Sequence, residues 1–194
     1  MSLEDRIRSA VQEGLRLKHW LLKDGAPILL DMSSVAATCL RQGGKLLFVG
    51  NGGSAGDSQH LATEFVVRLS AERERPALAA LALTTDSSLL TACANDYSFA
   101  HIFSRQVEAL GKPGDVLVAI STSGNSPNVL EAARAAREKG LQVLGLLGGT
   151  GGALLPLCDL ALVVPARNSG RVQEVHITAG HVWVDLVEER LYST

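Results

Sequence analysis

Residues 45–64 read KLLFVGNGGSAGDSQHLATE. The run Lys45–Gly50 is short and apolar, with no alternation of apolar and polar positions. A strand of that kind is buried on both faces, as in a parallel sheet covered by helices. Ser54–Leu69 then carries a helical pattern, so the glycines between mark a strand-to-helix turn. The same grammar returns downstream. Val116–Ile120 is a strand, Ser121–Ser126 a polar loop, and Pro127–Lys139 a helix closed by Gly140. Pro76–Leu83, Gln142–Leu147 and Leu160–Val164 read as further strands, which makes five. Helices are predicted over 87–94, 99–110 and 171–191. Ahead of them, Leu3, Ile7, Val11 and Leu15 recur every four residues, giving an amphipathic helix over 2–22. A second helix over 26–42 ends at Gly43-Gly44. The expected fold is α/β: a three-layer α/β/α sandwich with a central parallel five-stranded sheet and an N-terminal helical hairpin. We expect one domain, with the hairpin over 1–43 and the α/β core over 44–194.

The bulk numbers remove several function classes. The 194 residues are 46% apolar, enough for a sizeable core. The 18 basic and 20 acidic residues leave a net charge of -2, so no general basic field for nucleic acid exists. Aromatic residues make up 4%, too few for base-stacking platforms. Cys39, Cys93 and Cys158 are odd in number and lack metal-type spacing, which suits a reducing compartment. No signal peptide and no membrane span are expected, and the predicted location is cytoplasmic.

Two loops have the chemistry of phosphate sites. Gly50–Gly56 lets backbone approach a ligand closely, and the following helix offers free N–H groups. It also fits G-x-G-x-x-A, a dinucleotide fingerprint, but the only acid available downstream is Asp86, which sits late. The second loop, Ser121-Thr122-Ser123-Gly124-Asn125-Ser126, places four hydroxyls after a strand. Ser126 is a good N-cap and Pro127 a good first helical residue. Capping accounts for one hydroxyl; Ser121, Thr122 and Ser123 remain, and such a nest suits a phosphate dianion. Both loops lie at the carboxyl ends of strands, the ligand-binding edge of open α/β sheets.

His60 and Glu64 sit one helical turn apart, able to hold a metal or relay protons. The spacing is equally that of an exposed polar pair. The last helix carries Gln173, Glu174, His176 and His181. Gln173 and His181 are roughly 80° apart around it. Geometry does not choose between His176 and His181.

GNGGSAGDSQHLATE, the TTD and ANDY segment, STSGNS and the RVQEVHI tail stand in the order of the phosphoheptose isomerases. The chain resembles that family over nearly its whole length. STSGNS marks the broad sugar-isomerase (SIS) fold, and the combination of QHxxxE with a glutamine and histidine eight apart is more specific. The resemblance implies an aldose–ketose isomerase. It would interconvert sedoheptulose 7-phosphate and D-glycero-D-manno-heptose 7-phosphate through an enediol, at the entry to lipopolysaccharide heptose. It implies Glu64 and His181 as the acid–base pair. It implies zinc held by His60, Glu64, Gln173 and His181. The residues matching Asn51, Gly52, Gly53, Glu64, Asn95, Asp96, Ser121, Thr122, Ser123, Ser126 and Gln173 would contact substrate. A homotetramer with sites at subunit interfaces is implied too, letting Arg68 reach a neighbour's phosphate. One departure is visible: some members carry an acid where this chain has Gly170. Rival readings are a non-catalytic relative that binds a replication initiator, an isomerase of another phosphosugar, and a nicotinamide enzyme. The first lacks the glutamate and final histidine that this chain retains.

Overall fold

A computed structural model describes residues 1–193. Five parallel strands form one sheet in the order β2-β1-β3-β4-β5. They are β1 (Leu46–Gly50), β2 (Ala80–Ala82), β3 (Val116–Ser121), β4 (Gln142–Gly148) and β5 (Leu160–Val164). The predicted sandwich is the observed one. Alternate residues of each strand enter opposite cores, as a pleat requires. Leu46, Phe48, Val118 and Leu146 pack on one side with helices α2 (Ala26–Arg41), α3 (Gly53–Val66) and α7 (Ser169–Tyr192). Leu47, Val49, Leu117 and Val143 pack on the other with α4 (Ser87–Asp96), α5 (Ser104–Leu110) and α6 (Pro127–Glu138).

The sheet order explains where a ligand would go. β1 pairs with β2 on one side and β3 on the other, so the chain reverses its winding between β1 and β3. The loops leaving those two strands part there and open a crevice. They are the two loops singled out in the sequence.

Two elements differ from expectation. Strand β2 has three paired residues, fewer than the stretch Pro76–Leu83 promised. It is an edge strand and Pro76 has no N–H to donate, so pairing starts later. The N-terminal helices also do not fold back as a hairpin. α1 (Leu3–Trp20) passes through a π-helical turn, Leu21–Gly25, straight into α2. Pro27 is the physical cause: it lacks an N–H and its ring crowds the carbonyl four residues back, so the ladder widens by one residue. α1 buries Leu17 and is held by Arg171, whose Nη1 donates to the Ala10 carbonyl at 3.0 Å. Its stripe of Leu3, Ile7, Val11 and Leu15 remains more than half exposed on a single chain.

Candidate active site

The first loop and α3 start the site. Gly52 occupies the N-cap of α3 without a side chain to cap it, and the Ser54, Ala55 and Gly56 amides turn back onto the Asn51 and Gly52 carbonyls. Asn51 sits between the loops. Its Nδ2 donates to Asn128 Oδ1 and its Oδ1 accepts from Asn128 Nδ2, both at 2.8 Å. The Asn51 side chain therefore ties the first loop to α6, and any ligand contact falls to its backbone. Asn128, 1% exposed, was not legible as a site residue because its role exists only through a partner 77 positions away.

The second loop buries the Ser121 hydroxyl, half-buries Thr122 and Ser126 and leaves Ser123 exposed. Ser126 holds the N-cap position of α6, as expected, yet its hydroxyl makes no capping bond. It lies 3.2 Å from Ser121 Oγ instead. Ser121 is 3% exposed and accepts from the Gly124 amide at 3.1 Å. Thr122 Oγ1 reaches Ser169 Oγ at the start of α7, 3.4 Å away. Thr122 and Ser123 line a cavity of about 240 Å³ with Gly148, Gly149, Thr150, Ala166 and Arg167. Arg167 is a cation that motif reading passed over, since nothing in its local sequence marks it.

The opposite end is built by α3 and α7. His60 Nε2 lies 2.7 Å from His181 Nε2, and 3.4 Å from Glu64 Oε1. The donor atoms of these three residues all lie within 4.8 Å of one another. Gly180 permits the approach: a Cβ there would stand 2.6 Å from Leu61 Cδ2, between the two helices. Gln173 stands about two turns earlier on α7, against Gly53. A Cβ on Gly53 would meet its Nε2 at 2.5 Å. Asp57, one turn before His60, buries Oδ2 without a partner, and burial pushes its carboxyl up to about 6 against the pull of His60.

His176 goes elsewhere. It is fully buried, and its Nε2 donates to the Leu147 carbonyl at 3.0 Å. Burial pushes its imidazole down to about 4, so it stays neutral as a strut between α7 and β4. Asn95 and Asp96 close α4 on the surface, with Asn95 Nδ2 donating to Asp96 Oδ1 at 2.8 Å. Asp96 lines a separate groove with Tyr97 and Arg105. Arg68 pairs with Glu74 at 2.7 Å on its own chain. Asp86 is spent as the N-cap of α4, accepting from the Leu89 amide at 2.9 Å, which removes the acid a dinucleotide site would use.

Two imidazoles and a carboxylate make a ligand set that zinc takes in catalytic sites. Metal bonds of about 2.0–2.2 Å set tetrahedral ligands about 3.3–3.5 Å apart. The His60–Glu64 separation of 3.4 Å meets this, and the histidine pair at 2.7 Å sits at hydrogen-bond distance, close enough to part around an ion. The residues fit the metal.

Comparison with known proteins follows the same lines. A family profile described as SIS domain matches residues 12–148. The chain is 53% identical over 186 residues to the phosphoheptose isomerase of Solidesulfovibrio magneticus, covering 96% of this chain and 90% of that protein. It is 51% identical over 191 residues to that of Rhodospirillum rubrum, covering 98% and 100%. Among solved structures, phosphoheptose isomerase from Neisseria gonorrhoeae aligns with a TM-score of 0.90 at 42% identity, over 97% of this chain and 100% of that one. The enzyme from Francisella tularensis aligns at 0.93 and 35%, with the same coverage.

Proposed function

We propose, from the premise that this chain belongs to the phosphoheptose isomerases of the SIS-domain family, that its reaction is run by Glu64 and His181 at one end of a crevice whose other end grips phosphate. The chain is an aldose–ketose isomerase, interconverting sedoheptulose 7-phosphate and D-glycero-D-manno-heptose 7-phosphate. The observation that carries the site assignment is the convergence of His60, Glu64 and His181 from two helices, at 2.7 and 3.4 Å.

The phosphate rests among the hydroxyls of Ser121, Thr122, Ser123 and Ser126, at the positive end of the α6 dipole. Arg167 adds positive charge at the rim. The backbone of Asn51, Gly52 and Gly53 and the amide of Gln173 line the path of the sugar. Anchoring the dianion holds the reacting carbons in place, so chemistry becomes effectively unimolecular. Glu64 takes a proton from C1 of the ketose. The C1–C2 double bond forms, and the carbonyl electrons move to O2, which receives a proton from His181 Nε2. Return of the Glu64 proton to C2, with loss of the O1 proton to His181, gives the aldose. His60, Glu64, Gln173 and His181 would hold zinc, which supplies Lewis-acid polarisation of carbonyl and hydroxyl oxygens when bound. Glu64 and His181 would each have to exchange off a bound metal to carry a proton, the remaining ligands keeping the metal in the site.

Asn95 and Asp96 stand apart from this crevice on their own chain, which supports a site completed by a second copy. The exposed stripe of α1 supports the same homotetrameric reading, since assembly would cover it. A phosphorylated substrate and three free thiols support a cytoplasmic enzyme feeding lipopolysaccharide heptose. No helix among the described residues is long and apolar enough to cross a membrane.

A coupled assay with sedoheptulose 7-phosphate, run with and without a chelator, tests this reading. Turnover is expected to fall on chelation and to return with added zinc. Turnover indifferent to both treatments would take the metal out of the mechanism, and no turnover of this sugar under any condition would sink the site assignment.

A further inference from the structure

Arg75 and Glu188 form a buried ion pair, with side chains 0% and 2% exposed. Burying two charges is costly unless every donor and acceptor finds a partner. Here they do. Arg75 Nε donates to Glu188 Oε1 at 2.8 Å, and Nη2 approaches the same oxygen at 2.7 Å. Nη2 also donates to the Glu64 carbonyl at 2.7 Å. Nη1 donates to the Phe65 carbonyl at 2.8 Å and the Pro76 carbonyl at 3.0 Å. The guanidinium thus makes four hydrogen bonds and one further close charge contact.

The carbonyls chosen matter more than the pair. α3 ends at Val66, so Glu64 and Phe65 belong to the last turn, whose carbonyls have no intrahelical partner. Arg75 caps them and sets a positive charge at the negative end of the helix. Its partner Glu188 sits seven residues beyond His181 on α7, two turns along and on the same face. The guanidinium thus joins the backbone of the residue carrying the carboxylate to the helix carrying the imidazole.

We infer that the buried Arg75–Glu188 pair is a positioning device for the isomerisation: it fixes the last turn of α3 against α7 and so holds the Glu64 carboxylate in register with His181. The inference rests on the reading of Glu64 as the base. Neither residue of the pair touches the reacting atoms, so both are positioning residues.

The test is a cycle of variants followed by kcat, KM and thermal unfolding. Arg75→Met with Glu188→Leu removes both charges at nearly the same volume, and also takes the donor from the Glu64 and Pro76 carbonyls, so some loss of stability is expected and thermal unfolding is read beside the kinetics. Arg75→Lys keeps the charge and loses the fork. Each is made in the natural chain and in Glu64→Gln. In the natural chain the double variant is expected to lower kcat by about 10²-fold, the cost of a small misplacement. KM should stay within about threefold. Arg75→Lys should lower kcat by about tenfold while folding normally. In the Glu64→Gln background neither change should lower the residual rate further, because what they position is already gone. A purely structural pair would multiply its loss in both backgrounds, and that result overturns the inference. So does a folded Arg75→Lys enzyme with unaltered kcat, which carries the test by itself if the double variant does not fold. Full activity of Glu64→Gln would sink the reading of Glu64 and this inference with it. An impaired Glu64→Gln with multiplying losses would sink the inference alone.

Discussion

Glu64→Gln is expected to lower kcat by about 10²–10⁴-fold, the range a placed proton-transfer group contributes. KM should change little, because phosphate anchoring lies at the other end of the crevice. The substitution is nearly isosteric, and the carboxylate's one recorded partner is His60 at 3.4 Å. The backbone at Glu64 is held independently through its carbonyl by Arg75 at 2.7 Å. The variant should therefore fold normally and unfold at a similar temperature. Steady-state kinetics with saturating zinc separates the proton-transfer role from ligation. A loss that zinc restores would assign Glu64 to metal binding alone, and turnover near the natural rate would remove it from the mechanism.

Gly124→Ala should be the most damaging single methyl in the chain. Gly124 has φ +65°, a conformation that L side chains resist by roughly 1–2 kcal/mol. A Cβ there would stand 1.9 Å from the Gly151 carbonyl oxygen, which is backbone and cannot swing aside. The turns interlock, since Leu154 donates its amide to the Gly124 carbonyl at 2.9 Å and Ala153 to Asn125 Oδ1 at 3.0 Å. Relief of the clash must displace the hydroxyls of Ser121, Ser123 and Ser126. We expect kcat/KM to fall by about 10²-fold or more, chiefly through KM, with weakened inhibition by inorganic phosphate. Gly43→Ala is the control. Its φ is +79° but nothing lies within 4 Å of the added methyl, at the end of α2. It should cost stability alone, about 1 kcal/mol, and leave KM unchanged. A Gly124→Ala enzyme with natural KM would show that this loop does not hold the phosphate.

The sheet was legible because each strand is an unbroken apolar run, and burial on both faces is what such runs require. The crevice followed from two polar loops at strand ends. The sequence pattern misjudged β2 because it weighed the apolar run above the missing N–H of Pro76. The hairpin expectation came from reading 2–22 and 26–42 as two separate helices; one π turn absorbs Pro27 and the helix runs on. At the site, local spacing could pair His60 with Glu64 but could not bring in His181, 121 positions away. His176 and His181 differ in nothing that periodicity records. What separates them is burial: one imidazole meets the Leu147 carbonyl beneath α7 and the other meets His60. Asn128, Arg75 and Glu188 carried no motif at all. Each acquires its role from a partner that only the fold supplies.

The most direct measurement is a crystal structure of the Glu64→Gln protein soaked with sedoheptulose 7-phosphate. The phosphate oxygens should sit at hydrogen-bond distance from the hydroxyls of the Ser121–Ser126 loop, with C1 and C2 of the sugar against residue 64 and the His181 ring. A phosphate bound outside that loop, or a carbonyl end beyond reach of both side chains in every copy of the assembly, would contradict the account.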